Sequence, residues 1–213
     1  MKKTTFVLLL ICLIAIAQAQ SGFTPATESQ QKEMTKRITE SSAQLKTLRC
    51  DFVQKKTISI LSEEMVSEGK MSFKQKDKLR WEYIKPYQYE FVMNGDKVMT
   101  LSDNTKNVTN INSSKAFRKI GKIILSGIIG SGIFDTSTFT ANFFTGNKEN
   151  MVVLIPKQKE LKQMFNEIRI CFNKTDYTVN AVEFEEMNGD KTVIEMKNKR
   201  INLELSDEIF SIK

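Results

Sequence analysis

The sequence predicts a single α+β domain: an N-terminal helix, a block of antiparallel strands, a central helix and a second block of strands. Three observations carry that expectation. Apolar residues recur at helical spacing before residue 48 and again from 117 to 129. Between and after those stretches they alternate with polar residues, the period of a half-buried strand. Turn signals such as Asn94-Gly95 and Asn188-Gly189-Asp190 separate the short alternating runs. At 213 residues, with 40% apolar and 27% charged residues, the chain is long enough for one sizeable core.

The first twenty residues, "MKKTTFVLLLICLIAIAQAQ", read as a secretory signal. Lys2 and Lys3 precede an apolar run that closes on Ala17-Gln18-Ala19, a small-x-small cleavage site. The expectation is a signal peptide over 1–19, removed on export, and one domain over 20–213. The apolar run is short for a membrane span. Cys12 follows Ile11 within that run, a poor context for lipidation, so no lipid anchor is expected. Losing Lys2 and Lys3 lowers the net charge from +7 to +5. Much of that charge is interleaved with acids, as in "KNKRINLELSDE", which reads as a solvated face or as a surface suited to anionic headgroups or an acidic partner. No basic cluster is interleaved with aromatics, so nucleic acid is not an expected partner.

In chain order, "SGFTPATES" reads as a polar arm, and residues 27–48 as an amphipathic helix with Met34, Ile38, Leu45 and Leu48 on one face. Strands follow. "KLRWEYIKP" places Leu79, Trp81 and Tyr83 on one face and Arg80 and Glu82 on the other; "YQYEFVM" groups Tyr87, Tyr89, Phe91 and Met93. "SSKAFRKIGKIILSGIIGSGIF" then carries Phe117, Ile120, Ile124 and Ile128 at helical spacing, widened by Ile123 and Ile129 and broken at Gly130 and Gly132. Its segment "KIILSGIIGSGIF" could be a span, a nucleotide loop, a core helix or a movable lid. Strands return through "TFTANFF", "MVVLIPK", "NEIRICFNK", "VNAVEFEEM" and "KTVIEMKN".

The chemistry that is missing narrows the function. There is no histidine, which removes Ser-His and Cys-His nucleophiles and most zinc sites. Glu63-Glu64 and Glu185-Glu186 are strand neighbours that point to opposite faces, so neither pair can serve one substrate atom. The glycines at 127, 130 and 132 are not followed by Lys-Ser/Thr and do not open a helix after a strand, so they form neither phosphate loop. An enzyme is not expected, nor a metal or other cofactor. Cys50 and Cys171 lie in apolar strands, where a disulfide and two buried free thiols are both compatible with the sequence. With fourteen Phe and ten Met, the sheet faces are either an ordinary core or a concave surface that holds an apolar ligand.

"KDKLRWEYIKP", with Trp81 and Pro86 five apart, resembles the signature of the LolA-type periplasmic carriers of outer-membrane lipoproteins. "DFVQKK", "NGDKV", "LIPK", "LKQMFNEI" and "NGDKTVIEM" followed by "INLELSDEIFSI" fall in that family's order over nearly the whole mature chain. The resemblance implies an incompletely closed antiparallel β half-barrel with an N-terminal helix and a central helical lid over its mouth. It implies a lipid-binding cavity lined by Phe73, Leu79, Trp81, Tyr83, Tyr89 and Phe91, a lid carrying Ile120, Ile123, Ile124, Ile128 and Ile129, and a hinge at Gly130 and Gly132. It also implies a monomer in the periplasm that takes triacylated lipoproteins from an inner-membrane ABC complex to an outer-membrane receptor. The family's lid-latching arginine falls at Gln75, between Lys74 and Lys76, so a lysine would have to substitute without the bidentate fork. A carrier or sensor of another lipid or glycolipid would use the same fold.

Overall fold

The computed structural model describes residues 22–61, 63–75, 77–103, 105–110, 125–127 and 129–212. Twelve strands form one sheet in which every pairing is antiparallel. They are β1 (Phe23–Pro25), β2 (Thr47–Ile58), β3 (Glu63–Lys74), β4 (Lys78–Lys85), β5 (Tyr89–Asn94), β6 (Lys97–Ser102), β7 (Thr105–Asn110), β8 (Phe139–Gly146), β9 (Glu149–Pro156), β10 (Phe165–Asn173), β11 (Val179–Glu186) and β12 (Lys191–Ile201). The order across the sheet is β1-β8-β9-β10-β11-β12-β2-β3-β4-β5-β6-β7, so β1 and β7 are edges and the barrel is not closed. The two strand blocks of the sequence meet where β12 pairs with β2. Among the described residues no helix is long and apolar enough to cross a membrane.

Helix α1 (Glu28–Gln44) packs Met34 and Ile38 into the inner face. Thr27 caps it, with Gln30 returning a bond to the Thr27 N–H. The expected helix ran on to 48, but it ends at Gln44. Leu48, Cys50 and Phe52 alternate toward the inner face, and Leu48 sits in register between Phe73 and Ile201. Two cross-strand ladders outweigh one further helical turn. Three further segments depart from the sequence reading. Part of the polar arm is β1, which pairs with β8. "TKNVTN" is the exposed edge strand β7, and its exposure explains why it lacks an apolar alternation. A short helix, α2 (Lys159–Lys162), buries Leu161.

The inner face carries the main core, drawn from α1, from β2 to β6, from β8 to β12, and from Leu125 and Ile133. A second, smaller core lies on the outer face. There Val92 and Met99 are covered by Leu205 and Phe210 of the C-terminal segment, whose residues Asp207–Phe210 form a 3-10 turn. Polar contacts fix that segment: Lys74 Nζ donates to the Leu205 carbonyl (2.8 Å) and to Asp207 (2.7 Å), and Asn94 Nδ2 to the Phe210 carbonyl (3.1 Å). Lys74 and Lys78 hold the Asp207 carboxyl below the usual carboxylate range.

Cys50 and Cys171 are both free, which decides between the two readings left open by the sequence. Cys50 is buried on the inner face and Cys171 lies half-buried in β10, two strands beyond β12. Burial pushes the Cys50 thiol up to about 12 and the Cys171 thiol up to about 11.

Candidate functional site

Five of the six residues expected to line a cavity come together around one. Leu79, Trp81 and Tyr83 of β4 and Tyr89 and Phe91 of β5 alternate onto the inner face and pair across the ladder, Trp81 opposite Phe91 and Tyr83 opposite Tyr89. With Gln54, Leu161, Phe165, Phe184, Glu186, Thr192 and Ile194 they surround a space of about 350 Å³. Phe73, the sixth, is buried in the solid core between Leu48 and Leu79 and does not line the space. Sequence alternation assigns Phe73 to the correct face, but the depth of a cavity depends on which strands curve over it. Leu161, Phe165, Phe184 and Ile194 were missed for the same reason. They come from α2 and from β10, β11 and β12, some eighty residues or more beyond β4.

The aromatic wall is continuous. Phe52 lies 4.3 Å from Trp81 and 5.2 Å, edge-on, from Tyr83, while Tyr83 stacks on Tyr87 at 5.5 Å. Phe165 and Phe184 face each other at 5.5 Å on the opposite wall. Gly69 makes the first contact possible. A Cβ there would sit 2.1 Å from the Glu82 carbonyl oxygen and 2.4 Å from the Phe52 ring. Tyr87 itself is half-exposed in the turn before β5, rather than in line with Tyr89 as the alternation suggested.

Few polar groups enter this space. Tyr83 Oη bonds to Gln54 Oε1 at 2.9 Å, and burial raises the Tyr83 phenol above its ordinary value. Among the described residues the Trp81 Nε1 is buried with no hydrogen-bond partner within bonding geometry, although the Tyr83 phenol lies close enough to interact with it. Glu186 is bound by Lys56 at 3.4 Å, whereas its neighbour Glu185 turns to the outer face near Lys191 and Arg169, as strand alternation requires. The turns that join β2 to β3, β4 to β5 and β11 to β12 adjoin this end of the sheet. They expose Ile60, Leu61, Tyr87 and Met187.

Of the expected lid, Ile120, Ile123, Ile124 and Ile128 lie outside the described residues. Leu125–Gly127 and Ile129 are helical, with Leu125 and Ile133 in the main core and Ile129 packed against it. A second apolar space of about 210 Å³ lies between this segment and the sheet, lined by Gly127, Ile133, Phe139, Leu154, Ile168 and Phe184 among others. Phe184 borders both spaces. Gly130 and Gly132 have φ of 72° and 68°, the left-handed conformation that ends a helix at little cost only with glycine. A Cβ on Gly130 would also meet the Phe172 ring at 2.9 Å. Gly130→Ala is therefore expected to destabilise the protein by about 1–3 kcal/mol, measurable by chemical denaturation. Unchanged stability would mean that the Phe172 ring yields without strain.

Gln75, at the position of the latching arginine, and Lys74, one of the two lysines beside it, both have partners elsewhere. Gln75 donates from its backbone N–H to the Lys46 carbonyl and from Nε2 to the Ala43 carbonyl, holding the end of α1. Lys74 points to the outer face and binds the C-terminal segment. Lys76 is outside the described residues.

A family model described as outer membrane lipoprotein carrier protein LolA matches residues 43–213. No curated protein matches the chain. Among solved structures, MucB has a TM-score of 0.52 at 9% identity, the alignment covering 89% of this chain and 65% of MucB. A conserved protein from Thermus thermophilus has a TM-score of 0.51 at 10% identity, covering 84% and 91% of the two chains. A LolA superfamily protein from Nitrosomonas europaea has a TM-score of 0.41 at 9% identity, covering 83% and 96%. At such identities the structural likenesses show the fold alone. The family match spans well over half of the sequence, from the end of α1 to the C-terminus, and with it the chain belongs to the LolA family.

Proposed function

We propose that this protein is a periplasmic carrier that shields the acyl chains of lipoproteins and moves them from an inner-membrane releasing complex toward the outer membrane. The observation that carries the reading is the aromatic-walled apolar space between β4, β5 and β10 to β12, on the inner face of a sheet that does not close into a barrel. Each acyl CH₂ removed from water contributes about 0.8 kcal/mol, so long chains need such a shield to cross an aqueous compartment. A space of about 350 Å³ is at the small end of ligand pockets, which run from about 300 to 1,000 Å³. Several acyl chains would therefore require it to widen. Movement of the 125–134 segment about Gly130 and Gly132 would join it to the neighbouring space across Phe184. The unpaired indole N–H of Trp81 suits the ester or amide carbonyl at the head of an acyl chain.

The test is mass spectrometry of what co-purifies with the protein taken gently from its native compartment. Triacylated N-terminal peptides are the expected cargo. Free glycolipid or phospholipid alone would replace the lipoprotein reading with a lipid-transfer or sensing role in the same cavity.

A further inference from the structure

Cations on the outer face of the sheet are commonly set against carboxylates. Arg80 lies 2.9 Å from Glu90 and Arg169 2.7 Å from Glu183. One groove of about 490 Å³ on that face is different. Arg49, Asp51, Lys70, Asn198, Lys199 and Arg200 line it, with Cys50 behind them. Four cations against one carboxylate give a formal charge of +3. None of the four belongs to an ion pair among the described residues, and Asp51 accepts from Asn198 Nδ2 at 2.8 Å.

The placement of the two arginines is the unusual feature. Arg49 of β2 and Arg200 of β12 are direct partners in the antiparallel ladder, and both are exposed. Like charges directly opposite one another are destabilising, and a guanidinium cannot lose its proton to relieve the repulsion. A bulge creates this arrangement. Lys197 faces Asp51 and Arg200 faces Arg49, so Asn198 and Lys199 together oppose the single residue Cys50. Asn198 takes the left-handed conformation, with φ of 53°. Without the extra residue, strict alternation would turn Arg200 to the inner face. The same step returns Ile201 to the interior opposite Leu48, but that packing needs no cation at 200. Lys199 Nζ instead donates to Thr178 Oγ1 (2.7 Å), the Val179 carbonyl (3.0 Å) and Asn180 Oδ1 (2.5 Å), all neutral. The Asp176 and Glu149 carboxylates favour its charge, so Arg49, Arg200 and Lys70 are the cations left for a ligand.

The geometry points to an anion site that takes a phosphate group between Arg49 and Arg200. Each guanidinium presents a planar fork of donors that matches two phosphate oxygens, and a bound phosphate turns their mutual repulsion into shared attraction. Lys70 adds a third cation from β3. The groove lies on the opposite face of the sheet from the apolar space, so both can be filled together and neither reading depends on the other. The phosphate can belong to a phospholipid headgroup or to a soluble ligand.

Thermal melting in inorganic phosphate, against chloride of matched ionic strength, tests the site, because a ligand that binds only the folded state raises its melting temperature. A saturable rise in phosphate and not in chloride is expected, with affinity reduced at least about tenfold in R49Q/R200Q and by an intermediate amount in R200K. The double variant should fold, since it removes a repulsive pair from an exposed surface. Flotation with vesicles of phosphatidylglycerol and phosphatidylcholine separates the sources. Flotation lost in R49Q/R200Q assigns a headgroup, and a phosphate-dependent rise without flotation assigns a soluble phosphate. Absence of both responses, a rise equal in chloride, or responses unchanged in R49Q/R200Q would overturn the proposal.

Discussion

Glutamate in place of Phe91 is expected to weaken binding of a long-chain fatty acid at least about a hundredfold, a loss of about 3 kcal/mol, while leaving the fold intact. Phe91 is only half-buried and lines the apolar space opposite Trp81, so an added carboxylate remains partly hydrated in the empty protein. A bound acyl chain would strip that hydration with nothing to replace it. The measurement is displacement of a fluorescent fatty acid, with circular dichroism to confirm the fold. Unchanged affinity in a folded Phe91→Glu protein would place the ligand elsewhere. Leu79 lines the same space but is a poorer choice. It is 3% exposed and belongs to the main core, so a charge there removes the fold along with the site.

Phe210→Ala should have the largest effect on stability and none on the cavity. The Phe210 ring is fully buried against Val92 and Met99 on the outer face, the side of the sheet away from the apolar space. Truncating such a ring leaves a void and costs about 3–5 kcal/mol. In a chain of this size each kcal/mol lowers the melting temperature by about 2–4 °C, so a fall of roughly 10 °C is expected. Fatty-acid affinity below the new transition should match that of the parent protein. A fall of a degree or less would show that the C-terminal segment is loosely held despite Lys74, Lys78 and Asn94. A parallel loss of affinity would show that the two faces are coupled.

These two residues also mark what could be read in advance. Phe91 shares a strand face with Tyr89 and Met93 because "YEFVM" alternates up to the Asn94-Gly95 turn, and the resemblance to the LolA-type carriers implies that this face lines a cavity. Phe210 carried no such signal. "SDEIFSI" is a 3-10 turn whose role exists only because Val92 and Met99 face outward on β5 and β6, about a hundred residues earlier. Leu45 and Leu48 show the opposite failure. Their spacing is helical, yet Leu48 is a strand residue because Phe73 and Ile201 offer it ladder partners.

By itself the sequence determined the class of fold, the start of α1, most of the strands and which residues of β4 and β5 share a face. Those depend on local periodicity and turn chemistry, which are written in neighbouring residues. Tertiary structure alone decided that β12 closes on β2, that Phe73 is solid core while Phe184 and Ile194 line a cavity, that Cys50 and Cys171 stay apart, and that a bulge sets Arg200 against Arg49. Each of these is a meeting of residues distant in the chain, fixed by sheet curvature and ladder register rather than by the preference of any one segment.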